Sequence, residues 1–346
     1  MEMKNMNKIR VAISPDVVSA DGQPIFDPKV LELLDHPRIE WSYLSEPVHE
    51  VTPAFAAHYD ALCAMLERVG PAGLGGADQR LRLVARFGVG YDTIDVPGCT
   101  AHGVMLTLAP DGVRRPVATN VITFVLCLAQ KLFLKDRLTR EGRWAEKTSH
   151  MGMGLTGRTL GLVGVGNIGA EVFRLAQPFE MKHIAYDPAV RPGQLDGLGV
   201  EMVDSLDEVM RRSDFVSINC PLNAHTRGLI GARAIALMKP TAFLINTARG
   251  PIVQERALYE ALAAGRIGGA GLDVFEVEPT PKDNPLLTLD NVIVTPHGLC
   301  FTDECFTGIA RNTFEAVRAL ADGHAPRYIV NREALQHPAL ASLSAA

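Results

Sequence analysis

The chain has 346 residues, enough for two domains that each build their own core. Hydrophobic residues make up 47% and charged residues 21%, the balance of a globular protein rather than a disordered or fibrous one. A formal net charge of -5 without a dense Lys/Arg block speaks against nucleic acid and anionic membrane as partners.

The start, Met1 to Arg10, is polar and lacks the apolar centre of a signal peptide. No apolar run reaches the length of a membrane span. Cys63, Cys99, Cys127, Cys220, Cys300 and Cys305 are scattered without CxxC spacing, which fits reduced thiols and a cytoplasmic location. Cys300 lies close to His297 and invites a nucleophile reading, but an apolar-flanked cysteine more often packs as a small hydrophobe.

In chain order, Ile9 to Ile13 has strand spacing and Pro28 to Leu34 reads as a helix. Trp41 to Leu44, Tyr59 to Met65 and Leu81 to Phe87 read as three further strands of a small parallel-sheet domain. The fourth of these strands runs into Gly88-Val89-Gly90-Tyr91-Asp92, a glycine-flanked turn at a strand's carboxyl end. The N–H groups of Val89 and Gly90 could hold a substrate carboxylate there. A turn that needs glycine only for positive φ accounts for the same residues equally well.

Pro116 to Gln130 is a long apolar stretch with proline at the expected N-terminus of a helix. It reads as a buried helix joining two domains. Arg137 to Ser149, polar around Trp144, reads as a projecting arm or a helix plus loop.

The run Thr159-Leu160-Gly161-Leu162-Val163 then stops at Gly164-Val165-Gly166-Asn167-Ile168-Gly169 and continues into helix-forming sequence. Such glycines suit a tight turn whose backbone approaches a pyrophosphate at a helix N-terminus, and equally a plain strand-to-helix connection. The context favours the first. Ala170 to Ala176 is amphipathic, and His183 to Tyr186 reads as a strand ending in Asp187, about 20 residues beyond the glycines. A carboxylate there accepts hydrogen bonds from the adenosine ribose and repels a 2′-phosphate, so NAD is favoured over NADP.

Beyond Asp187, helices are expected over Ser205 to Arg212, Ala232 to Leu237 and Val253 to Ala264. Strands are expected over Asp214 to Asn219, Thr241 to Asn246, Gly268 to Asp273 and Asn291 to Thr295, which makes about six from Gly161 on. Asp303 to Asp322 reads as a final helix and the tail from Asn331 as surface.

Three polar residues stand at the expected carboxyl ends of strands: Arg249, Glu278 and His297. Arginine matches a carboxylate through its planar fork of donors. Histidine shuttles a proton near neutral pH, and a carboxylate partner fixes its tautomer. Singly, each could be a surface or loop residue. Together, after a dinucleotide motif, they suit reduction of a 2-oxo acid.

In order and spacing these motifs resemble the D-isomer-specific 2-hydroxyacid dehydrogenases. The set is Gly88 to Asp92, Gly164 to Gly169, Cys220-Pro221-Leu222 with Thr226 to Ile230, Asn246 to Gly250, Leu272 to Phe275 with Glu278-Pro279, and Thr295-Pro296-His297. The resemblance implies an α/β fold of two Rossmann-like doubly wound parallel-sheet domains, the cofactor domain inserted into a smaller flavodoxin-like substrate domain. The implied division is 1–113, 114–304 and 305–346, with the last segment returning to the substrate domain.

It further implies that Arg249 binds the substrate carboxylate and carbonyl, that His297 is the acid/base, and that Glu278 pairs with it. Val89 and Gly90 would help hold the carboxylate. Gly164, Gly166, Asn167, Ile168, Gly169, Asp187, Cys220, Pro221, Thr226, Thr247, Ala248, Asp273 and His297 would line the NAD(H) site, with Asp273 near the nicotinamide amide, and no metal is expected. A homodimer through the cofactor domain and a small 2-hydroxy or 2-oxo acid substrate complete the expectation. An NAD-sensing corepressor-like protein is the alternative.

Two segments depart from the family pattern. Gly298-Leu299-Cys300-Phe301 follows the histidine, and Asp111 to Ala118 replaces a more polar approach, with Thr119 where the family often has glutamate. Within the latter, Arg114 and Arg115 favour a substrate with a second anionic group, Arg115 being the candidate contact.

Overall fold

The computed structural model describes residues 8–190 and 193–344. The polar start over residues 1–7 lies outside them. The chain forms two compact units: residues up to Val113 with those from Phe301 onward, and Arg114–Cys300.

Among the described residues the first unit holds five strands, β1 (Ile9–Ile13), β2 (Ile39–Tyr43), β3 (Ala61–Ala64), β4 (Leu83–Arg86) and β5 (Met105–Thr107). All pair in parallel in the order β2-β1-β3-β4-β5, the order of a flavodoxin-like sheet. Helices α1 (Pro53–His58) and α2 (Val96–Ala101) lie between strands in the chain. A parallel sheet covered on both faces needs apolar residues on both, and every residue of β3 and β5 is buried. Pro28–Leu34 is a 3-10 helix capped by Asp27, whose carboxylate accepts the Lys29 N–H. Sequence reading missed β5, because three residues carry no usable periodicity.

Helix α3 (Pro110–Gln130) starts six residues before the expected point, with Pro116 inside it. Pro110, not Pro116, occupies the first turn, where a missing N–H costs nothing. The longer helix is apolar and long enough to qualify as a membrane span by length and composition, yet more than half of its most apolar window is buried. Ala118, Val121, Phe124, Val125 and Leu128 put it in the core of the second unit. Helix α4 (Leu132–Arg140) and a 3-10 turn over Trp144–Thr148 form the segment expected as an arm or helix plus loop.

The second unit continues as β6 (Thr159–Val163), α5 (Asn167–Ala176), β7 (Lys182–Tyr186), β8 (Val200–Met202), α6 (Leu206–Arg212) and β9 (Phe215–Ile218). Then come α7 (Ala232–Ile235), β10 (Phe243–Asn246), α8 (Glu255–Ala263), β11 (Gly269–Leu272) and β12 (Val292–Val294). The described sheet has seven parallel strands in the order β12-β11-β10-β9-β6-β7-β8. From β6 on, this is the doubly wound order 3-2-1-4-5-6 with one strand added at the edge. The expected six becomes seven because β8 is a three-residue edge strand, half-buried at most. Neighbouring residues serve opposite faces: Phe215 joins the cluster with Phe124 and Phe173, while Val216 joins Leu244 and Leu258. Each such fully buried side chain contributes about 1.5–3 kcal/mol of transfer free energy.

The order reverses between β6 and β9, which pair from Leu160↔Phe215 to Val163↔Ile218. Ligands of open α/β sheets bind outside the carboxyl ends of strands at such a point.

The chain returns to the first unit through α9 (Asp303–Asp322), capped by Thr302 and ended by Gly323 at φ 83°. The tail is not simply surface, contrary to expectation. Asn331 is buried, its carboxamide accepting the Leu106 N–H at 2.8 Å and donating to the Val104 carbonyl at 2.9 Å. It covers the outer side of β5 together with the main chain just before it, where the Val330 N–H donates to the Leu106 carbonyl at 2.8 Å.

Candidate active site in the cofactor-binding unit

The three glycines after β6 do three different jobs. Gly164 has φ 93°, and a Cβ there would lie 2.7 Å from the Cys220 nitrogen, so only glycine lets β6 and β9 approach at this turn. Gly169 brings α5 onto β6, its would-be Cβ 2.8 Å from the Gly164 carbonyl oxygen. Gly166, by contrast, faces nothing within 4 Å. The first turn of α5, with Asn167 and Ile168, has no side-chain cap, so its N–H groups and dipole are available to an anion. Two packing glycines and one open one are what a pyrophosphate cradle requires.

Asp187 follows β7. Its carboxylate accepts the Val165 N–H and the Ala189 N–H, each at 2.8 Å, and so ties the glycine turn to the end of β7. Gln194 donates to the Val165 carbonyl at 3.2 Å. Each carboxylate oxygen keeps a second lone pair for a ribose hydroxyl. After β9, the Thr226 hydroxyl donates to the Pro221 carbonyl and accepts the Asn223 N–H, which fixes the loop that carries Cys220 and Pro221. Burial, with Asp187 nearby, pushes the Cys220 thiol up to about 11, so it is no thiolate nucleophile near neutral pH. Two buried polar atoms at neighbouring strand ends, Asn219 Oδ1 and Thr247 Oγ1, find no partner among the described residues. These donors, acceptors and open backbone fit a dinucleotide.

The reactive groups follow β10, β11 and β12. Beyond β10, the turn of Thr247 and Ala248 leads to Arg249, whose Nη1 donates to the Ala248 carbonyl at 2.7 Å. Glu278 Oε1 accepts the Phe275 N–H at 2.9 Å, and Oε2 lies 2.7 Å from His297 Nδ1. Burial alone raises the Glu278 carboxyl, but the His297 hydrogen bond, the Phe275 N–H, and the charges of His297 and Arg249 together hold it below the usual carboxylate range. An ionised Glu278 only accepts, so His297 Nδ1 carries the hydrogen and Nε2 is left for proton exchange.

His297 sits at φ 51°, a conformation uncommon for a residue with a side chain. Buried Asp273, at the end of β11, holds it there. Its Oδ1 accepts the Thr295 hydroxyl at 2.6 Å and the N–H groups of Gly298 and Leu299 at 3.0 and 3.2 Å. The structure thus gives Asp273 a loop-holding task in addition to the cofactor contact expected of it.

In the first unit, Gly88 at φ 128° opens the turn expected to hold a carboxylate. Arg86 Nε donates to the Gly90 carbonyl at 2.8 Å and stiffens the turn. The N–H groups of Val89 and Gly90 donate no hydrogen bond among the described residues.

Arg115, expected to meet a second substrate anion, lies in an ion-pair cluster. Its Nη1 bonds Glu171 Oε1 at 2.7 Å, and buried Glu171 also pairs with Arg114 and Arg174. The cluster fixes α3 to α5. Asn246 stands in the Asn246 to Gly250 motif without an assigned role, and Asn219 has no signal beyond its place just past a strand.

Comparison with known proteins agrees with this geometry. The profile described as "D-isomer specific 2-hydroxyacid dehydrogenase, NAD binding domain" matches residues 122–298. A glyoxylate reductase of Korarchaeum cryptofilum is 38% identical over 299 residues, covering 86% of this chain and 90% of that protein. A D-3-phosphoglycerate dehydrogenase of Methanocaldococcus jannaschii is 41% identical over 253 residues, covering 73% of this chain. The chain spans only about half of that relative, 48%. Among solved structures, a glyoxylate reductase from Paecilomyes thermophila superposes with a TM-score of 0.79 at 27% identity, covering 94% of this chain and 99% of that one. The chain belongs to the D-isomer-specific 2-hydroxyacid dehydrogenase family, and its Arg114–Cys300 unit carries the family's NAD-binding domain.

Proposed function

We propose that the protein is an NAD(H)-dependent oxidoreductase that interconverts small 2-oxo acids and D-2-hydroxy acids. The observation that carries this reading is the 2.7 Å His297–Glu278 pair, with the charge of Arg249 acting on the same carboxylate. Bound nicotinamide supplies or takes up the hydride at substrate C2. His297 donates the Nε2 proton to the forming alkoxide, while Glu278 stabilises the charged imidazole and fixes its orientation. Arg249 binds the carboxylate in a bidentate fashion and offsets negative charge on the carbonyl oxygen. In the first unit, the glycine turn of Val89 and Gly90 keeps its own main-chain donors open to a carboxylate.

Asp187 favours NAD over NADP, since a 2′-phosphate would meet a carboxylate. Glyoxylate and hydroxypyruvate are the substrates of choice for a first assay, the relatives' names including glyoxylate reductase. No comparison supports the corepressor alternative. A homodimer is proposed through α4 and its surroundings, where Leu132, Phe133, Trp144 and Met151 are exposed apolar residues of the cofactor-binding unit. Cys63, Cys99, Cys127 and Cys220 are free thiols, which accords with a reducing, cytoplasmic setting.

The test is NADH oxidation by the purified protein against a panel of 2-oxo acids, with chiral analysis of the product. Formation of D-2-hydroxy acids supports the reading. No reduction of any member of the panel overturns it.

A further inference from the structure

The Arg249 side chain is useful only if the turn that carries it is held to within a fraction of an ångström, because about 1 Å of misplacement can cost about a hundredfold in rate. The turn has no regular structure of its own between β10 and the 3-10 turn Gly250–Ile252. A buried carboxamide bridges it, beside the Ile252 N–H that donates to the Arg249 carbonyl at 3.2 Å. Asn246 Oδ1 accepts the Ala248 N–H at 3.0 Å, and Asn246 Nδ2 donates to the Arg249 carbonyl at 2.9 Å. One donor and one acceptor are needed, in that arrangement, and a carboxamide has both. Asn246 is 1% exposed, so water cannot readily take over either bond.

The same residue reaches the other half of the machinery. Its main-chain carbonyl accepts the Asp273 N–H at 3.0 Å, and Asp273 holds the His297 loop. Gly250 completes the link. A Cβ at Gly250 would lie 1.8 Å from the carbonyl carbon of Phe275, so the backbone after Arg249 rests directly on the Phe275–Glu276 peptide. Phe275 is the residue whose N–H holds Glu278. A buried asparagine with no contact to the imidazole thus sets Arg249 into the frame that carries Glu278 and His297.

We propose that Asn246 is a positioning residue that acts through Arg249, clamping the Thr247–Arg249 turn so that the guanidinium meets the substrate carboxylate in register with the His297–Glu278 pair. The proposal rests on the assignment of Arg249 as the substrate-binding residue. Asn246→Asp is the informative substitution. It is isosteric, keeps the acceptor for Ala248, and replaces the donor by an oxygen that repels the Arg249 carbonyl. Asn246→Ala removes the clamp without adding charge and serves if the aspartate variant fails to fold.

Two measurements on the NADH-loaded protein decide the matter. In the first, kcat/KM for the best 2-oxo acid is measured in wild type, Asn246→Asp, Arg249→Gln and the double variant. The expected loss for Asn246→Asp alone is about ten- to a hundredfold, shrinking to less than about twofold in the Arg249→Gln background. A purely structural role would give the same fold loss in both backgrounds, which overturns the proposal. In the second, deuterium uptake of the peptide spanning 243–252 is followed by mass spectrometry. Release of the Ala248 amide in Asn246→Asp or Asn246→Ala, with uptake elsewhere unchanged, is expected, and unchanged uptake in this peptide overturns the clamp. If the wild type reduces no 2-oxo acid while the amide is still released, the clamp stands and the functional reading falls.

Discussion

Glu278→Gln puts the proton-transfer pair to its sharpest test. The carboxylate accepts two hydrogen bonds, from the Phe275 N–H and from His297 Nδ1, on separate oxygens. Glutamine has one acceptor oxygen and one donor nitrogen, so neither orientation satisfies both neighbours. With its oxygen toward Phe275, the amide N–H₂ faces Nδ1 and forces the opposite tautomer. With its oxygen toward Nδ1, the amide opposes the Phe275 N–H.

The charge lost is worth estimating. Unit charges about 4 Å apart interact by about 1 kcal/mol in water and about 4 kcal/mol at an effective dielectric near 20. The side chains of His297 and Glu278 are 44% and 36% exposed, so the lower part of that range applies, about 1–2 kcal/mol. This corresponds to about five- to thirtyfold in an equilibrium. The sign follows from the lowered Glu278 carboxyl. Its contribution is fully present above the ordinary carboxylate value and disappears as the pH falls through the folded-state value, so Glu278 is charged throughout an assay between pH 6 and about pH 9. In the reduction direction, the variant's kcat/KM should fall by about five- to thirtyfold. Its NADH affinity should be unchanged. A variant that keeps the wild-type kcat/KM, or loses NADH binding in parallel, refutes the reasoning.

The glycine motif separates two kinds of damage. Gly164→Ala places a strained φ and a contact with the Cys220 main chain in the turn, so thermal unfolding should show a loss of about 1–3 kcal/mol. Gly166→Ala meets nothing in the protein, so its melting temperature should stay near wild type while NADH titration by fluorescence shows weaker binding. Glu171→Gln should destabilise by about 1–3 kcal/mol at neutral pH, the partner arginines being half-exposed. Burial raises the Glu171 carboxyl, but Arg115 and Arg174 pull it below the ordinary value. The difference between variant and wild type in urea unfolding should therefore shrink as the pH falls through that depressed value.

The sequence carried the fold where the signal was long or chemically distinctive. Asp303–Asp322 was legible because twenty residues with a Thr302 cap and a Gly323 stop give both period and boundaries. The glycine turn was legible because each glycine answers a separate steric demand, at Cys220, at Gly164 and toward open space. Strands β5 and β8 were not, since three residues have no period to read. Helix α3 starts earlier than expected because Pro116, next to the apolar run, lies inside the helix and Pro110 opens it. Arg249, Glu278 and His297 could be picked out as strand-end residues. Their pairing is legible only through the family resemblance, because the His297–Glu278 contact spans 19 positions and depends on Asp273 tethering a loop in an unusual conformation. The ion pair of Arg115 is equally invisible in the sequence: its partner Glu171 lies 56 positions away, and a lone arginine near a helix start looks unpaired in one dimension.

The account turns on His297 as proton donor to a substrate reduced by NADH. Stopped-flow absorbance of the NADH-loaded protein mixed with hydroxypyruvate or glyoxylate, in wild type and His297→Ala, tests this most directly. The expected result is hydride transfer slowed by about two to four orders of magnitude with NADH affinity unchanged. An alanine variant that reduces substrate at the wild-type rate, or that loses NADH binding to the same extent as turnover, contradicts the account.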